Sequence, residues 1–493
     1  MNQSTPRPVG STFRWTRWLL LTMIIGGLLP LGAQTPHALA AGITVTTTTD
    51  EDNGSLGGGT GVSLREAVLY AATGDVIILP AGTYNLTIPG GANDSKKGDL
   101  DISGKALTIT GAGAATTKIL ADFPKTGTNT RDRVLDVLPG ASLTLSGVTI
   151  SGGITSNTGG GIRNQGSLNA NAIVVSGNFS GYAGVDGSSS GSNGGGVTNT
   201  NGATALISNS QIKGNTANRS GGGIFNDVGA TMTLDKTTVA NNITTKENGG
   251  GVANEGTLTI ANSTFSGNSS NRSGGGIYNN GTTDVTNSTI TDNTCNADTR
   301  IGGDGGGAYN NSSTVGSLSF KNTIIAGNRD MASPAAPGTF VGIFPDLNAQ
   351  TANTIIGNSN NLISSRAGIN NSTTIGTPDQ SDIVSTNAGL APLSDNGGAT
   401  LTRLLLPTSP AVDAARNNTC AAAPVNNRDQ RDQPRPADGN ANTTAFCDIG
   451  AVEVRAAIVL LDETVAIQSG GSLSFGTTLR DAPLTKVLIV QAG

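Results

Sequence analysis

The chain holds 493 residues, 71 of them glycine, yet only 13% are charged and 3% aromatic, with a formal net charge of −5. Average proteins carry about half that glycine share and about twice that charge, and the shortage of Glu, Lys and Leu excludes a helix-rich globular enzyme. At 35% hydrophobic, the chain can still bury a core, which excludes general disorder.

Residues 1–40 read as a signal peptide. Arg7, Arg14 and Arg17 precede the apolar run Trp18–Leu31, and Ala38-Leu39-Ala40 supplies the small residues of a cleavage site. The run is too short for a membrane anchor. Export would remove three arginines and no acid, leaving 26 basic against 34 acidic side chains, a net charge of −8. It would also remove His37, the single histidine. Without imidazole, Ser-His-Asp and Cys-His catalysis are excluded, and a zinc or copper site is disfavoured. An acidic, aromatic-poor chain is equally unsuited to nucleic acid.

Between residues 43 and 85 a short helix is expected at Ser63-Leu64-Arg65-Glu66-Ala67-Val68, with Ser63 and Glu66 spaced as a capping box. A strand, a turn and a second strand follow over Gly74–Tyr84.

From residue 159 to 328 one unit repeats. Gly-Gly-Gly-apolar-x-Asn starts at Gly159, Gly194, Gly221, Gly249, Gly274 and Gly305, and a second asparagine closes each copy at Asn178, Asn215, Asn242, Asn268, Asn293 and Asn328. Periods of this length mean solenoids. Alignment gives three apolar columns, headed by Ile162, Ile207 and Val175, and the flanking residues alternate polar and apolar as strands do. The fold class is therefore all-β: a single-stranded right-handed parallel β-helix, a three-faced solenoid, over residues 42–395. At about 27 residues per coil it should form about thirteen coils. The asparagines Asn164, Asn199, Asn226, Asn254, Asn279 and Asn310 are expected to turn the chain in the left-handed region and to stack as a ladder from coil to coil.

Two connectors between copies are long, Phe179–Asn193 and Thr294–Asp304, and both leave the coil at the same corner. Insertions in solenoids collect on the binding face. Tyr182, Asp186, Asp298, Arg300 and Asp304 are the ligand-contact candidates there. No catalytic residue is assigned, because Asp284, Asp292, Asp298 and Asp304 do not share a repeat position, and Arg219 and Arg272 lie in connectors. No metal site is assigned either. Gly302-Gly303-Asp304-Gly305 is similar to a calcium-binding repeat but lacks its spacing, so no cofactor is expected and Ca2+ is the one ion left open.

Residues 396–455 should form a C-terminal cap in which Asp413, Asp429, Arg431, Arg435, Asp448 and Glu453 gather charges in a charge-poor chain, as Arg–carboxylate pairs locking an irregular segment. Cys420 and Cys447 are placed to form a disulfide in an oxidising compartment, and Cys295 is left over. Residues 457–493 show three strand-like runs, short of the roughly seven a sandwich needs.

The Ser63–Tyr84 segment resembles the CSLREA-type domain that opens many bacterial secreted β-helix proteins, with Val62 in place of that family's cysteine. The stretch from Leu393-Ser394-Asp395-Asn396-Gly397-Gly398 through Asp429-Gln430-Arg431 to Cys447-Asp448-Ile449-Gly450 resembles the choice-of-anchor segment that follows such helices. Asp432 and Ala415 stand where that segment usually has glycine. The repeats resemble pectin-lyase-like coils, and residues 457–493 an immunoglobulin-like module. The resemblance implies a protein secreted or displayed on the cell surface and not integral to the membrane after signal cleavage. Its expected role is adhesive or structural, with a cell-surface or extracellular polysaccharide as partner; the alternative is a polysaccharide lyase or glycoside hydrolase.

Overall fold

The computed structural model describes residues 40–90, 95–123, 131–181, 192–296, 304–311, 317–331, 345–349, 355–357, 360–365, 381–440, 442–455, 458–462, 465–467 and 489–492. The chain winds as a right-handed parallel β-helix with three long faces. Face 1 has nine strands, from Leu100–Ile102 to Leu347–Ala349. Face 2 has eleven, from Gly42–Thr44 to Ile355–Gly357, and face 3 has eleven, from Gly82–Leu86 to Ile383–Val384. Among the described residues face 2 shows eleven rungs where thirteen were expected. Ten steps carry it from Gly42 to Ile355, about 31 residues each, because the coils before residue 159, the two with long connectors and the last one are all longer than the remaining tagged coils.

The three apolar columns stack inward in register. Ile162, Val197, Ile224, Val252, Ile277 and Ala308 pair along face 1, and each is fully buried. From Ile154 on, the chain turns once more after face 3 into two-residue strands, as in Ile154–Thr155, Phe179–Ser180, Thr216–Ala217 and Ile243–Thr244, which form a narrow fourth sheet. The repeat alignment did not show this corner, since two residues are too few to carry an alternating pattern.

The glycine triplet turns the chain from that corner onto face 1. Its first glycine has φ between +65° and +72° in all six copies. Its second lies so close to the next coil that an added Cβ would stand about 2.5 Å from a backbone carbonyl, as at Gly195 and Gly222. A side chain at either place would open the stack.

The asparagines do not turn the chain as expected. The left-handed positions are the Asn209, Asn262, Asn287 and Asn322 column between faces 2 and 3, and Gly177, Gly214, Asn241, Gly267, Asp292 and Gly327, each just before a second asparagine. The tagged asparagines keep ordinary φ and point inward at the corners. Asn164 Nδ2 donates to Asn199 Oδ1 at 2.7 Å, and the links continue Asn199 to Asn226, Asn226 to Asn254, Asn254 to Asn279 and Asn279 to Asn310 at 2.8–2.9 Å. A second buried ladder runs from Asn178 through Asn215, Asn242, Asn268 and Asn293 to Asn328. Each amide has both a donor and an acceptor, so it satisfies the neighbour above and the neighbour below. One such bond contributes about 1 kcal/mol net.

Before the repeats, the helix Leu64–Tyr70 covers the first coils. Ser63 Oγ accepts from Glu66 N and Glu66 Oε2 accepts from Ser63 N, a complete capping box. At the other end Lys105 Nζ donates to the carbonyls of Val68, Leu69 and Ala71, placing a cation on the negative end of the helix. Val62 packs against the hydrophobic core.

After the last coil, residues 389–455 fold back along the flank of the rod. They cover the outer side of face 3 from Thr238 to Ala326, where Thr238–Ala240, Thr264–Ser266, Thr289–Thr291 and Ile324–Ala326 are buried on both sides. On the uncovered strands Val174–Ser176 and Gln211–Lys213 the outward residues remain half-exposed. The flank segment shares a second core with Ile324, Ala326 and Leu362, built on Leu405, Ala411, Cys420, Cys447 and Ile449. Further on, Ile458–Asp462 pairs antiparallel with Val465–Ile467 and with Ile489–Ala492. The strands expected at 472–476 and 486–488 lie outside the described residues. Among the described residues no helix is long and apolar enough to cross a membrane.

Candidate functional site

The three outer surfaces of the rod differ in what covers them. Face 3 is roofed by the flank segment over its later strands. On face 1 one residue per strand points outward: Asp101, Asp136, Arg163, Thr198, Phe225, Ala253, Tyr278, Tyr309 and Asn348. The left-handed glycine of each triplet folds over this column; a Cβ on Gly194 would meet Thr198 Oγ1, and one on Gly249 would meet Ala253 Cβ. The column is therefore largely buried, with Tyr278 and Tyr309 stacked ring on ring at 5.9 Å.

Face 2 stays open. Its strands alternate inward apolar and outward polar residues, and the outward ones form three files along the rod. One file is Ser142, Ser167, Thr204, Thr231, Thr257 and Thr282. The next is Thr144, Asn169, Leu206, Thr233, Thr259 and Asp284. The third is Ser146, Asn171, Ser208, Asp235, Ala261 and Thr286. Three charges stand among these files and their continuation: Asp235, Asp284 and, in register after Thr286, Lys321. The surface is a regular array of hydroxyls and amides, one row about every 4.8 Å, and the β-branched threonines hold their hydroxyls in few rotamers.

Both long connectors border the corner between the two-residue strands and face 1. Their described ends are Gly181 and Ser192 in one case, Asn296 and Asp304 in the other. Tyr182, Asp186, Asp298 and Arg300 lie outside the described residues. Asp304 is half-buried; its carboxyl is pushed up to about 7, by burial first and then by the nearby Asp330 charge. Cys295 is fully buried, and burial pushes its thiol far above the usual range, so it is inert as a nucleophile.

The expected charge network of the C-terminal segment is assembled in the flank. Asp429 binds Arg431 at 2.8 Å and accepts from the backbone of Arg431, Gln433 and Glu453. Arg435 is fully buried; it faces Glu453 at 3.8 Å and donates to the carbonyls of Asp448 and Gly450. Asp448 accepts from Asp413 N, and Asp413 in turn accepts from Gly439 and Asn440. Burial raises both Asp448 and Glu453, which also repel each other. Every carboxylate here is committed to a backbone or Arg partner, which is lock rather than reaction chemistry. Gln430 pins the lock to the rod: its Nε2 donates to Thr238 Oγ1 and Thr400 Oγ1, and its Oε1 accepts from Thr264 Oγ1. Cys420 and Cys447 form the disulfide. Asp432 takes a left-handed φ of +68° where the resembling segment has glycine.

A second charged cluster was missed from sequence. Asp101 and Asp136 are register neighbours on face 1, and Asp99 stands beside them; all three are buried. One carboxylate oxygen from each lies within 4.8 Å of the others. Arg133 Nη1 sits 3.0 Å from Asp99 and 3.5 Å from Asp136, while Arg163 and Gln165 donate to Asp136. Asp101 Oδ2 accepts from Ser95 N, while among the described residues Asp101 Oδ1 has no partner and Arg133 Nε lacks one too. Burial is the main force raising Asp99 well above the carboxylate range and Asp101 to about 6. The signal was present in Leu100-Asp101-Ile102 and Leu135-Asp136-Val137, the face 1 pattern without its glycine tag. A cavity of about 240 Å³ nearby is lined by Leu120, Phe123, Arg131, Asp132 and Ile154, and by none of the three clustered carboxylates.

No protein-family model matches the chain. No curated protein matches it either. Among solved structures, one described as the crystal structure of pectate lyase Pel9A aligns with 85% of this chain and 98% of its own, at 13% identity and a TM-score of 0.42. A likeness of that size says nothing about activity.

Proposed function

We propose that the chain is an exported or surface-displayed β-helix with an adhesive or structural role, and that it binds an extracellular polysaccharide along face 2. The observation that supports this is the open array of Ser, Thr and Asn on that face, beside two covered ones. A neutral polymer bearing hydroxyls meets there a repeat of donors and acceptors with few charges. Such binding depends little on salt, since few charges are screened.

The test is retention of the full chain on neutral polysaccharides at low salt and at about 1 M salt. Wild type is expected to be retained at both, and the Thr233→Lys/Thr259→Lys variant to lose at least about fivefold of its binding with its unfolding midpoint unchanged. Loss of wild-type binding at high salt, or equal binding by the variant, would overturn the proposal.

Cleavage of the polymer is the second reading. Asp101 and Asp136 supply the in-register carboxylate pair a hydrolase needs, but both are buried and Asp136 is held by Arg133 and Arg163. Release of reducing ends, or of unsaturated products, in the same samples would favour it.

A further inference from the structure

Like charges directly opposite one another on neighbouring strands are destabilising, yet Asp101 and Asp136 occupy that position inside the fold. Compensation is one-sided. Asp136 receives Arg163, Gln165 and Arg133, and Asp99 receives Arg133. Asp101 is 3% exposed, one of its oxygens lies within 4.8 Å of those of Asp99 and Asp136, and its Oδ1 has no partner. The three clustered carboxyl groups Asp99, Asp101 and Asp136 outnumber the guanidinium groups bonded to them, Arg133 and Arg163. The free acceptor is a hard oxygen. Two oxygens bound to one calcium at about 2.4 Å are at most about 4.8 Å apart, which the three carboxylates satisfy.

We propose that Asp99, Asp101 and Asp136 bind a calcium ion that ties together the first two strands of face 1. The ion takes the unsatisfied Asp101 oxygen as a ligand, and second carboxylate oxygens and water complete a shell of roughly six to eight. Because the ligands are buried, the ion's task is to hold the N-terminal coils and not to meet a polymer.

The test uses the full chain, stripped with chelator and titrated with CaCl2 alone. One ion per chain is expected, with a Kd on the order of 10⁻⁴ to 10⁻³ M and a rise in the unfolding midpoint at saturation. Asp101→Asn should weaken uptake at least about tenfold by removing ligand charge, whereas Asp284→Asn, on open face 2, should bind as wild type. Absence of saturable uptake by wild type, or unchanged uptake by Asp101→Asn, would sink the proposal. Hydrogen exchange on wild type covers the case of a variant that does not fold. Calcium should slow exchange within residues 95–137, and slowing elsewhere or nowhere counts against the site.

Discussion

The repeats and the segments flanking them solve one problem with different chemistry. From Asn164 to Asn328 the polar groups buried at the corners are hydroxyls such as Ser210, Thr237 and Ser263 and the amides of two ladders, each amide donating to one neighbour and accepting from the other. Before Asn164, and again in the flank, the buried polar groups are carboxylates and guanidinium groups, which must be matched in number and sign. An amide ladder extends by adding identical rungs. A charged cluster cannot be stacked on a copy of itself, so it is confined to the places where the repeat starts or is covered.

That contrast can be broken most severely by putting a charge into a ladder. Asn254 donates to Asn279, Gly256 and Thr282 while accepting from Asn226. Asn254→Asp removes the donors and sets a buried carboxylate against acceptor oxygens, and should cost about 3–5 kcal/mol in denaturant unfolding. A smaller loss is expected from the flank. Arg435→Met leaves Glu453 and Asp448 without their buried cation, and should cost about 3 kcal/mol by the same measurement.

Acidity separates the two regions more gently. The amides do not titrate, whereas Asp448 and Glu453 in the flank, and Asp304 in a connector between repeats, are all raised by burial. The folded chain therefore holds protons that the unfolded chain has released, so stability is greatest in mild acid and declines as pH rises toward 8. Asp304 contributes to this around pH 7; with solvent screening its share is under about 1 kcal/mol. Asp304→Asn should flatten that part of a melting-temperature profile taken from pH 5 to 8. The smallest effect belongs to the exposed pair Lys236–Asp432, 2.7 Å apart with Asp432 69% exposed. Lys236→Ala should change stability by less than about 0.5 kcal/mol.

The repeated part of the fold was legible because identical spacing makes its columns visible. Ile162, Ile207 and Val175 and their successors lie inside as read. Coils before residue 159 carry the same apolar-x-apolar strand without the glycine tag, so Asp101 and Asp136 were never placed on one column. The turning residues were misassigned for a physical reason: asparagine suits both the left-handed bend and the inward ladder, and composition does not distinguish Asn209 from Asn215. The path of residues 389–455 could not be read locally, since it depends on contacts such as Gln430 with Thr264, 166 residues apart. Its trace in sequence is the small outward residues Ala240 and Ala326, where the uncovered strand Gln211–Lys213 carries Lys213.

Solenoids touch only their nearest neighbours, so a coil at one end can come undone without disturbing those further along. The flank segment breaks that rule. It is bonded to Lys236 and Thr238, then to Thr264 and Ser266, then to Thr289 and Asp292, then to Asn322. Four successive rungs thus share one strap. They are expected to melt or shear as a block, leaving the rungs ahead of Asn209 to fray one at a time.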